Sequence, residues 1–391
     1  MRTLATKQTA INQYNGLGNQ LWDLSGQRPT LDLRFAEDRT LVDATTGSNL
    51  VNFTRASSGT YVGSDGLIKT ATTDEARFDH NPTTGESLGL LVEESRTNLL
   101  LDSGDLSTAN WVPADGAARP GVTVSAPDGT NSAIQLNVVS TGTSRLYQSL
   151  SVASGVTYTF SVWMRTASGT LAMKIGNVDV GVYKSVTVTT DWKRYEVTQV
   201  ASSATRLPAI ASDSAAGSVY LWGAQLEAGS FPTSYIPTTT AAVTRAADVA
   251  TDTSTGADIR TLYAQFRSPA FGTRPVASLD DNTANERIEL FTSGTDPKLL
   301  VTDGGGSVAD LDAGAITANV TAKLAGRFAT DSYAAAVNGA VPQTHTSGTL
   351  PAVDRLRIGS NQAGDYFNGT IARLTGWNTP LPDETLQTIT G

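Results

Sequence analysis

Residues 157–165 read TYTFSVWMR, and this stretch decides which fold class the chain belongs to. Apolar residues occupy every second position from Tyr158 to Met164, while the other set, from Thr159 to Arg165, is mostly polar. Because neighbouring side chains of a β-strand point to opposite sides of the sheet, this alternation predicts a strand with one face in a core. Short runs of the same kind recur between clusters of Gly, Asn, Asp and Pro, so we expect an all-β protein built from sandwiches.

Composition and charge exclude several classes of function. The chain has 391 residues, enough for about two to three domains, and no cysteine, which rules out disulfides, thiol nucleophiles and cysteine-ligated metal sites. Its net charge of -9 disfavours binding to nucleic acid. Residues 1–18 lack the apolar segment of a signal peptide, and no stretch is apolar enough to span a bilayer. We therefore expect a soluble chain assembled in the cytoplasm, without membrane insertion or nucleic-acid partners.

The first 95 residues divide into an arm and a small module. Residues 1–28 predict a short helix or an extended arm, which either docks on a partner or frays as a terminus. Residues 29–95 predict a compact β module. The run LDLRFA at 31–36 alternates as a strand does, and Asp65-Gly66 lies between two strand-like runs, which indicates a hairpin.

Two segments of this region resemble a module common in phage and prophage virion proteins. They are FTRASSGTYVGSDGLIKT at 53–70 and ARFDHNPTTGESLGLLVEESRTNLL at 76–100. Proteins with this module are usually described as head-spike, tail-fibre or carbohydrate-binding proteins. The resemblance implies a place on the virion, as a head spike, decoration protein or tail-fibre subunit, and it leaves head and tail equally open. It implies no reaction.

Residues 96–245 predict a second β domain, which resembles the jelly-roll carbohydrate-binding modules attached to glycanases. The segments that carry the resemblance are NLLLDSGDLSTANW, YTFSVWMR, DWKRYEVT and VYLWGAQLEAGSFPTSYIPT. In the last of these, both alternating sets that start at Val219 and Tyr220 are apolar. We therefore expect that strand to be buried on both sides near the middle of its domain.

Residues 246–391 resemble a concanavalin A-like, laminin-G-like lectin sandwich through SYAAAV, DRLRIGS and FNGTIARLTGW. Asn338-Gly339 predicts a two-residue hairpin turn, and 383–388 predict a short closing helix after Pro382. The alanine-rich run around Ala335 is expected to be an exposed apolar strand. A homo-oligomer, most simply a trimer as the resemblance to phage fibres implies, would cover it.

Few residues suggest catalysis or metal binding. The two histidines, His80 and His345, fit a turn and an exposed loop, and no motif places a serine nucleophile near them. Glu93 and Glu94 are adjacent on a strand, so their carboxylates cannot easily converge as a glycosidase pair would. The cluster Asp280-Asp281-Asn282 suggests either a structural Ca²⁺ site or, as its spacing favours, a plain acidic turn. We expect no catalytic residues, no cofactor and no other metal site.

Aromatic residues indicate sugar binding more directly. The apolar C–H faces of sugars pack on aromatic rings, while their hydroxyls bond to polar groups. Trp163, Arg165 and Thr159 share one face of the strand and are the candidate glycan-binding residues. The alternative is that Trp163 packs against a neighbouring module or subunit.

These observations predict a bacteriophage virion surface protein that is not an enzyme and that adheres to glycans or to the host surface. Its partners would be other virion proteins, reached through the N-terminal arm, and cell-surface glycans. The alternative is a virion-associated enzyme that degrades polysaccharides on the concanavalin A-like fold, although a fold alone does not establish a reaction.

Overall fold

The structure, a computed structural model, describes residues 20–177, 182–202, 205–206, 208–269 and 272–391. The predicted N-terminal arm therefore lies mostly outside the described residues. What is described of it contains helix α1 (Gln20–Ser25). The other helices are α2 (Phe35–Asp38) and α3 (Asp383–Thr390), and none of the described helices has the length and apolar character needed to cross a bilayer. Strands dominate the rest, which confirms the all-β fold class.

The strands of the first half are numbered here in chain order. They are β1 (Leu31–Leu33), β2 (Asn52–Thr54), β3 (Gly59–Val62), β4 (Ile68–Ala71), β5 (Phe78–His80), β6 (Ser87–Val92), β7 (Arg96–Asn98), β8 (Val112–Ala114), β9 (Thr123–Val124), β10 (Ala133–Val138), β11 (Arg145–Tyr147), β12 (Leu150–Ser151), β13 (Thr157–Arg165), β14 (Leu171–Asn177), β15 (Val182–Val188) and β16 (Lys193–Val200). The strands of the second half are β17 (Thr205–Arg206), β18 (Pro208–Ser212), β19 (Gly217–Ala228), β20 (Val243–Arg245), β21 (Val249–Asp252), β22 (Thr261–Arg267), β23 (Arg274–Asp280), β24 (Arg287–Ser293), β25 (Asp296–Asp303), β26 (Gly306–Asp312), β27 (Ala322–Ala329), β28 (Ser332–Val337), β29 (Gln343–His345), β30 (Arg355–Ile358) and β31 (Gly369–Trp377).

The chain divides into two compact units that are not contiguous in sequence. The first unit contains the chain up to Arg55, Asp74–Glu94 and Ala247–Gly391, and the second contains Ala56–Thr73 and Ser95–Ala246. The structure thus differs from the separate module predicted for residues 29–95, because that segment supplies strands to both units. The reason is long-range pairing: β1 and β6 pair with β31, and β2 pairs with β21.

The first unit is a sandwich of two large antiparallel sheets. One sheet has the order β29-β28-β27-β22-β31-β6-β5, with β1 also on β31, and the other has the order β2-β21-β30-β23-β24-β25-β26. A single apolar core lies between them and includes Leu33, Phe266, Leu290 and Leu356. Alternating apolar residues on facing strands produce this core, as expected of a sandwich.

Helix α3 covers the outer face of the eight-stranded sheet. Leu386 and Ile389 of the helix belong to the same buried cluster as Ala334 and Ala336 of β28. The alanine-rich strand is therefore buried within its own unit, and the expectation that it is exposed was wrong. A helix with one apolar stripe must bury that stripe, and the small alanine side chains leave room for it. The closing helix predicted at 383–388 is present and extends to Thr390.

Both predicted hairpin turns occur. Asp65 and Gly66 lie between the paired strands β3 and β4, and Gly66 has a φ of 76°. Asn338 and Gly339 have φ values of 49° and 77°, and the amide of Ala340 donates to the carbonyl of Val337. Two central residues with positive φ are typical of a type I′ turn, which Asn-Gly adopts readily.

The second unit is a smaller sandwich of two five-stranded sheets, with orders β16-β13-β19-β10-β9 and β15-β14-β18-β11-β8. Its core contains the apolar side of β13 from Tyr158 to Met164, as the alternation predicted. The central strand β19 is buried on both sides from Leu221 to Glu227, as predicted, while Tyr220 is partly buried; on the outer side Tyr235 packs against Trp222.

A charged network is buried inside the first unit. Asp248 accepts a hydrogen bond from Arg55 at 3.0 Å and also pairs with Arg77, which lies 2.9 Å from Glu93. Both arginine side chains and Asp248 are fully buried. Although burial lowers it, the charges of Asp248 and Glu93 raise the pKa of Arg77 above its ordinary value. The network therefore keeps its charges in the core by mutual pairing.

Candidate functional site

Thr159, one of the three predicted glycan-binding residues, is not available to a ligand. Its side chain is fully buried, and its hydroxyl lies 2.8 Å from that of Thr198 and 2.9 Å from the carbonyl of Gly229. The strand alternation was right, but the outward face of the sheet is covered at this point. The segment that follows β19 folds back over it, which short-range periodicity cannot reveal.

Trp163 is half-buried and packs inside its own unit. Its ring centroid lies 5.5 Å from that of Trp222 and 5.7 Å from that of Tyr235, both in edge-on arrangements. The guanidinium of Arg194 lies 4.4 Å above the Trp163 ring. Burial raises the pKa of Tyr235, whose hydroxyl bonds to Ser103. The cluster therefore anchors the returning segment to the sheet.

Arg165, the third candidate, lies at the end of β13 on the same face. Its guanidinium is 5.3 Å from the centroid of the Trp192 ring and 5.0 Å from that of the Tyr220 ring. Of the three predicted residues, Arg165 and Trp163 keep part of their surface accessible, and they lie two residues apart on one face.

A different face of the second unit carries exposed aromatic side chains. Tyr183, Gly176, Ala209, Tyr147 and Val112 form one row across β15, β14, β18, β11 and β8 in the strand registers. The two tyrosines are half-exposed, while Gly176 and Ala209 are buried between them. Since neighbouring strands are about 4.8 Å apart, the Cα atoms of the tyrosines are separated by about 14 Å.

The row points away from the core of the unit. Ile175, Leu146 and Ile210 belong to the buried core, and each is a sequence neighbour of a row residue. Successive side chains on a strand point to opposite faces, so Gly176, Tyr147 and Ala209 must face outward. The row thus has a half-exposed tyrosine on either side of the two smallest residues, Gly176 and Ala209.

Charged and polar groups lie one row further along the strands. Lys174 and Arg145 follow Gly176 and Tyr147 on that face at a distance of two residues. The Lys174 ammonium lies 3.0 Å from Asp213, Arg145 pairs with Asp115, and the Arg145 guanidinium is 5.6 Å from the Tyr147 ring. Hydrogen bonds from Ser185 and Lys174 lower the pKa of Asp213. Aromatic walls with a few fixed polar groups are the usual composition of a small-ligand site.

The residues considered for catalysis belong to the first unit, whereas both faces belong to the second. His80 is buried at the end of β5, opposite Ser87, so it lies in a strand and not in the predicted turn. His345 is exposed on β29, with its ring 6.1 Å from that of Tyr333. Glu93 belongs to the buried network, and the Glu94 amide donates to Asn368.

The acidic cluster at 280–282 is engaged by its own neighbours. Asp280 is buried, lies 2.9 Å from the Arg357 guanidinium and accepts a hydrogen bond from the Asn282 amide. Asp281 accepts hydrogen bonds from the amide and hydroxyl of Thr283, which lower its pKa. Among the described residues, no group of three or more histidine or carboxylate side chains is placed to hold a metal ion.

Tyr147 and Tyr183 were not singled out by sequence reasoning. The strand that carries Tyr147, RLY at 145–147, is only three residues long, too short to show an alternating pattern. Their alignment depends on three strand registers, two of which, β14–β18 and β18–β11, join segments far apart in sequence. The one local signal is a tyrosine that alternates with charged residues on a short strand.

No protein-family model and no curated protein matches this chain. Some solved structures are similar to part of it. Domain 4 of AbnA, a GH43 extracellular arabinanase from Geobacillus stearothermophilus, is 15% identical with a TM-score of 0.32, over 37% of this chain and 73% of that chain. The CBM22-1 xylan-binding domain of Xyn10C from Paenibacillus barcinonensis is 15% identical with a TM-score of 0.26, over 35% and 94%. The family 11 carbohydrate-binding module of Lic26A-Cel5E from Clostridium thermocellum is 13% identical with a TM-score of 0.22, over 34% and 93%. At these TM-scores the likeness carries no argument about ligands.

Proposed function

We propose that this protein binds glycans through the outward face of the β15-β14-β18-β11-β8 sheet and acts without catalysis. The observation that carries the proposal is the row in which Tyr183 and Tyr147 flank Gly176 and Ala209. Sugar rings have apolar faces that pack on aromatic rings, and no side chain larger than a methyl group lies between the two tyrosines in the row.

The polar groups beside the row fit the same ligand class. Lys174, Asp213 and Arg145 are held by ion pairs, so their remaining donors and acceptors have defined directions. Sugar hydroxyls both donate and accept hydrogen bonds, and paired cations and carboxylates offer both possibilities at one edge. A glycan chain lying across the strands would meet a ring at each end of the row and charged groups along its side.

The experiment is a glycan array with bacterial surface polysaccharides, followed by calorimetric titration of the full chain with a positive glycan. Tyr147→Ala and Tyr183→Ala should each weaken binding about tenfold or more, which corresponds to about 1.4 kcal/mol. Tyr61→Ala, which removes a half-buried tyrosine from β3 in the same unit, is the matched control and should bind normally. Unchanged binding by both row variants would refute the site.

We further propose that the glycan-binding chain is a surface component of a bacteriophage particle, assembled in the host cytoplasm. The support is the resemblance of residues 53–70 and 76–100 to virion proteins. Antibody labelling of particles in the electron microscope should decorate the head or the tail, and absence of label from purified particles would refute the location. Release of reducing sugars from a bound polysaccharide would contradict a purely binding role and favour the degrading enzyme.

A homotrimer that contacts other virion proteins through the N-terminal arm stays part of this proposal. Its support is the resemblance to phage fibres, since the alanine-rich strand that suggested a covered surface is buried by helix α3. Light scattering at micromolar concentration should give three times the mass of one chain, and a monomeric mass would refute the trimer.

A further inference from the structure

Arg165 differs from the other arginines described in the second unit. Arg96, Arg119, Arg145, Arg194 and Arg245 each donate to a carboxylate or a carbonyl oxygen. In the described part of the chain Arg165 makes no hydrogen bond and no salt bridge, which sets it apart; its Nε is buried without an acceptor, as are those of Arg145 and Arg245. A buried donor without an acceptor is costly, and it often marks a place that water or an ion occupies.

Two aromatic rings hold the Arg165 side chain in place. Tyr220 is the direct strand neighbour of Arg165 in the β13–β19 register, and its ring centroid is 5.0 Å from the guanidinium. Trp192 contributes the second ring at 5.3 Å, and its own indole N–H donates to the carbonyl of Ser125. The guanidinium is thus fixed by cation–π contacts, which leave its donors unused.

The surrounding charges leave Arg165 available. Asp191, which precedes Trp192 in the sequence, is exposed and forms no salt bridge with Arg165 in the described structure, and Lys193, which follows Trp192, is exposed with its ammonium 5.5 Å from the centroid of the Tyr195 ring. Holding a planar, permanently charged side chain in advance reduces the entropy that a ligand must overcome. A guanidinium in such a setting favours a planar or tetrahedral oxyanion that accepts two parallel hydrogen bonds.

We propose that Arg165, clamped between Trp192 and Tyr220, is a receptor for an oxyanion carried by a glycan: the carboxylate of a uronic acid or a sulfate ester. This site lies on the sheet opposite the tyrosine row, and it is independent of the proposed glycan function of that row. Binding forms hydrogen bonds from the Arg165 terminal nitrogens to the anion and requires no covalent step.

The test titrates the full-length protein with three tetrasaccharides: a galacturonate tetramer, a neutral galactose tetramer and a sulfated galactose tetramer. The acidic or sulfated tetramer should bind at least tenfold more tightly than the neutral one, and Arg165→Gln should abolish that preference. Arg165→Lys keeps the charge but loses the planar fork, so it should retain only part of the preference. The two charged tetramers distinguish carboxylate from sulfate as the source of the anion.

Two controls keep this test specific. Lys193→Gln removes the same charge from an exposed neighbour and should leave the preference within about twofold, because surface charges act weakly at a distance. Tyr147→Ala affects the tyrosine row and should leave it unchanged. If Arg165→Gln keeps the full preference, or if the wild type binds all three tetramers equally, the oxyanion site is refuted. If only Tyr147→Ala loses the preference for charged tetramers, the anion binds at the tyrosine row. That result would refute the Arg165 site and support the proposed function.

Discussion

At the scale of single residues, Asp248 is the acid on which the buried charges of the first unit depend. It pairs with Arg55 and Arg77, and its Oδ2 also accepts the amide hydrogen of Glu93 at 2.9 Å. Arg55, Arg77 and Glu93 lie in the FTR, RFDH and LLVE segments, on which the prediction of a virion location rests. Those polar residues therefore have a structural role inside the first unit, since each satisfies a charge that would be costly to bury alone.

Asp248→Asn should destabilise the first unit by about 3–5 kcal/mol, because it removes the carboxylate that pairs with two buried guanidinium groups. Urea denaturation of the full chain measures the change. Asp310→Asn is the matched control in the same unit, since Asp310 lies 3.5 Å from Lys298 and half of its side chain is exposed. That change should cost less than about 1 kcal/mol. Equal effects of the two variants would contradict the stabilising role of the network.

The buried carboxyl of Glu289 should make the free energy of unfolding depend on pH. Its side chain is buried, and burial raises its pKa above the ordinary value of 4.5, an effect that Arg287 at 3.8 Å opposes only in part. The folded state therefore holds the Glu289 proton to higher pH than the unfolded state does. Stability from this group is complete below pH 4.5 and is lost as the pH rises through the raised pKa.

Glu289→Gln removes this titration and keeps a group that can hydrogen bond. The free energy of unfolding of the variant, relative to the wild type, should therefore increase between pH 4 and pH 7, as urea titrations at about one-unit intervals would show. Glu86→Gln, at an exposed position, controls for the loss of one carboxylate. A difference that does not change with pH would show that Glu289 titrates alike in both states.

At the scale of secondary-structure elements, local chemistry was readable from the sequence. The turns at Asp65-Gly66 and Asn338-Gly339, the apolar side of β13 and the closing helix depend on neighbouring residues, and all four are present. The sequence did not show which segments pack against the outer face of each element. Thr159 occupies the face that alternation assigns, but the segment after β19 covers that face. The alanine-rich strand β28 was expected to be exposed, but it has the core on one side and helix α3 on the other.

Gly89 is an element-scale position where glycine is required. It has a φ of 96°, and a Cβ there would lie 2.2 Å from the carbonyl oxygen of Ile371 on β31. Gly89→Ala should thus separate β6 from β31 and cost well over 1 kcal/mol in urea denaturation. Gly47→Ala is the control, because Gly47 has a φ of 75° but no heavy atom within 4 Å of an added Cβ. Its cost should be about 1–2 kcal/mol, from backbone strain alone.

If the two alanine variants unfold at the same denaturant concentration, then the requirement for glycine at residue 89 does not come from the close approach of β31. A larger loss in Gly89→Ala would show that the LLVE segment is kept in register by backbone contact. The sequence contains the glycine but does not reveal how closely β31 approaches it, since β6 and β31 are separated by most of the chain.

At the scale of the whole molecule, the chain passes between its two units next to Arg55, Asp74, Glu94 and Ala247. The predicted division after residues 95 and 245 lies beside two of these crossings, but composition and turn signals contain nothing that reveals the other two. Only the pairing of β1, β2 and β6 with strands beyond residue 246 assigns the early segments to the first unit. Such pairing joins distant parts of the sequence. A local pattern indicates that a segment is a strand but not which strand pairs with it.

This interleaving predicts how fragments behave. Residues 56–246 contain every segment of the second unit and should unfold cooperatively in urea, with a dispersed amide NMR spectrum. Residues 247–391, which the sequence suggested as a domain, lack β1, β2, β5 and β6. They also lack seven apolar side chains of the first unit's core: Leu31, Leu33, Phe35, Val51, Phe53, Leu90 and Val92. Exposed edges on β31 and β21 and an incomplete core should leave this fragment without a cooperative transition. A cooperative transition in residues 247–391 alone would mean that these residues form a complete sandwich without the early strands. The segments at 53–70 and 76–100 would then be dispensable for its folding.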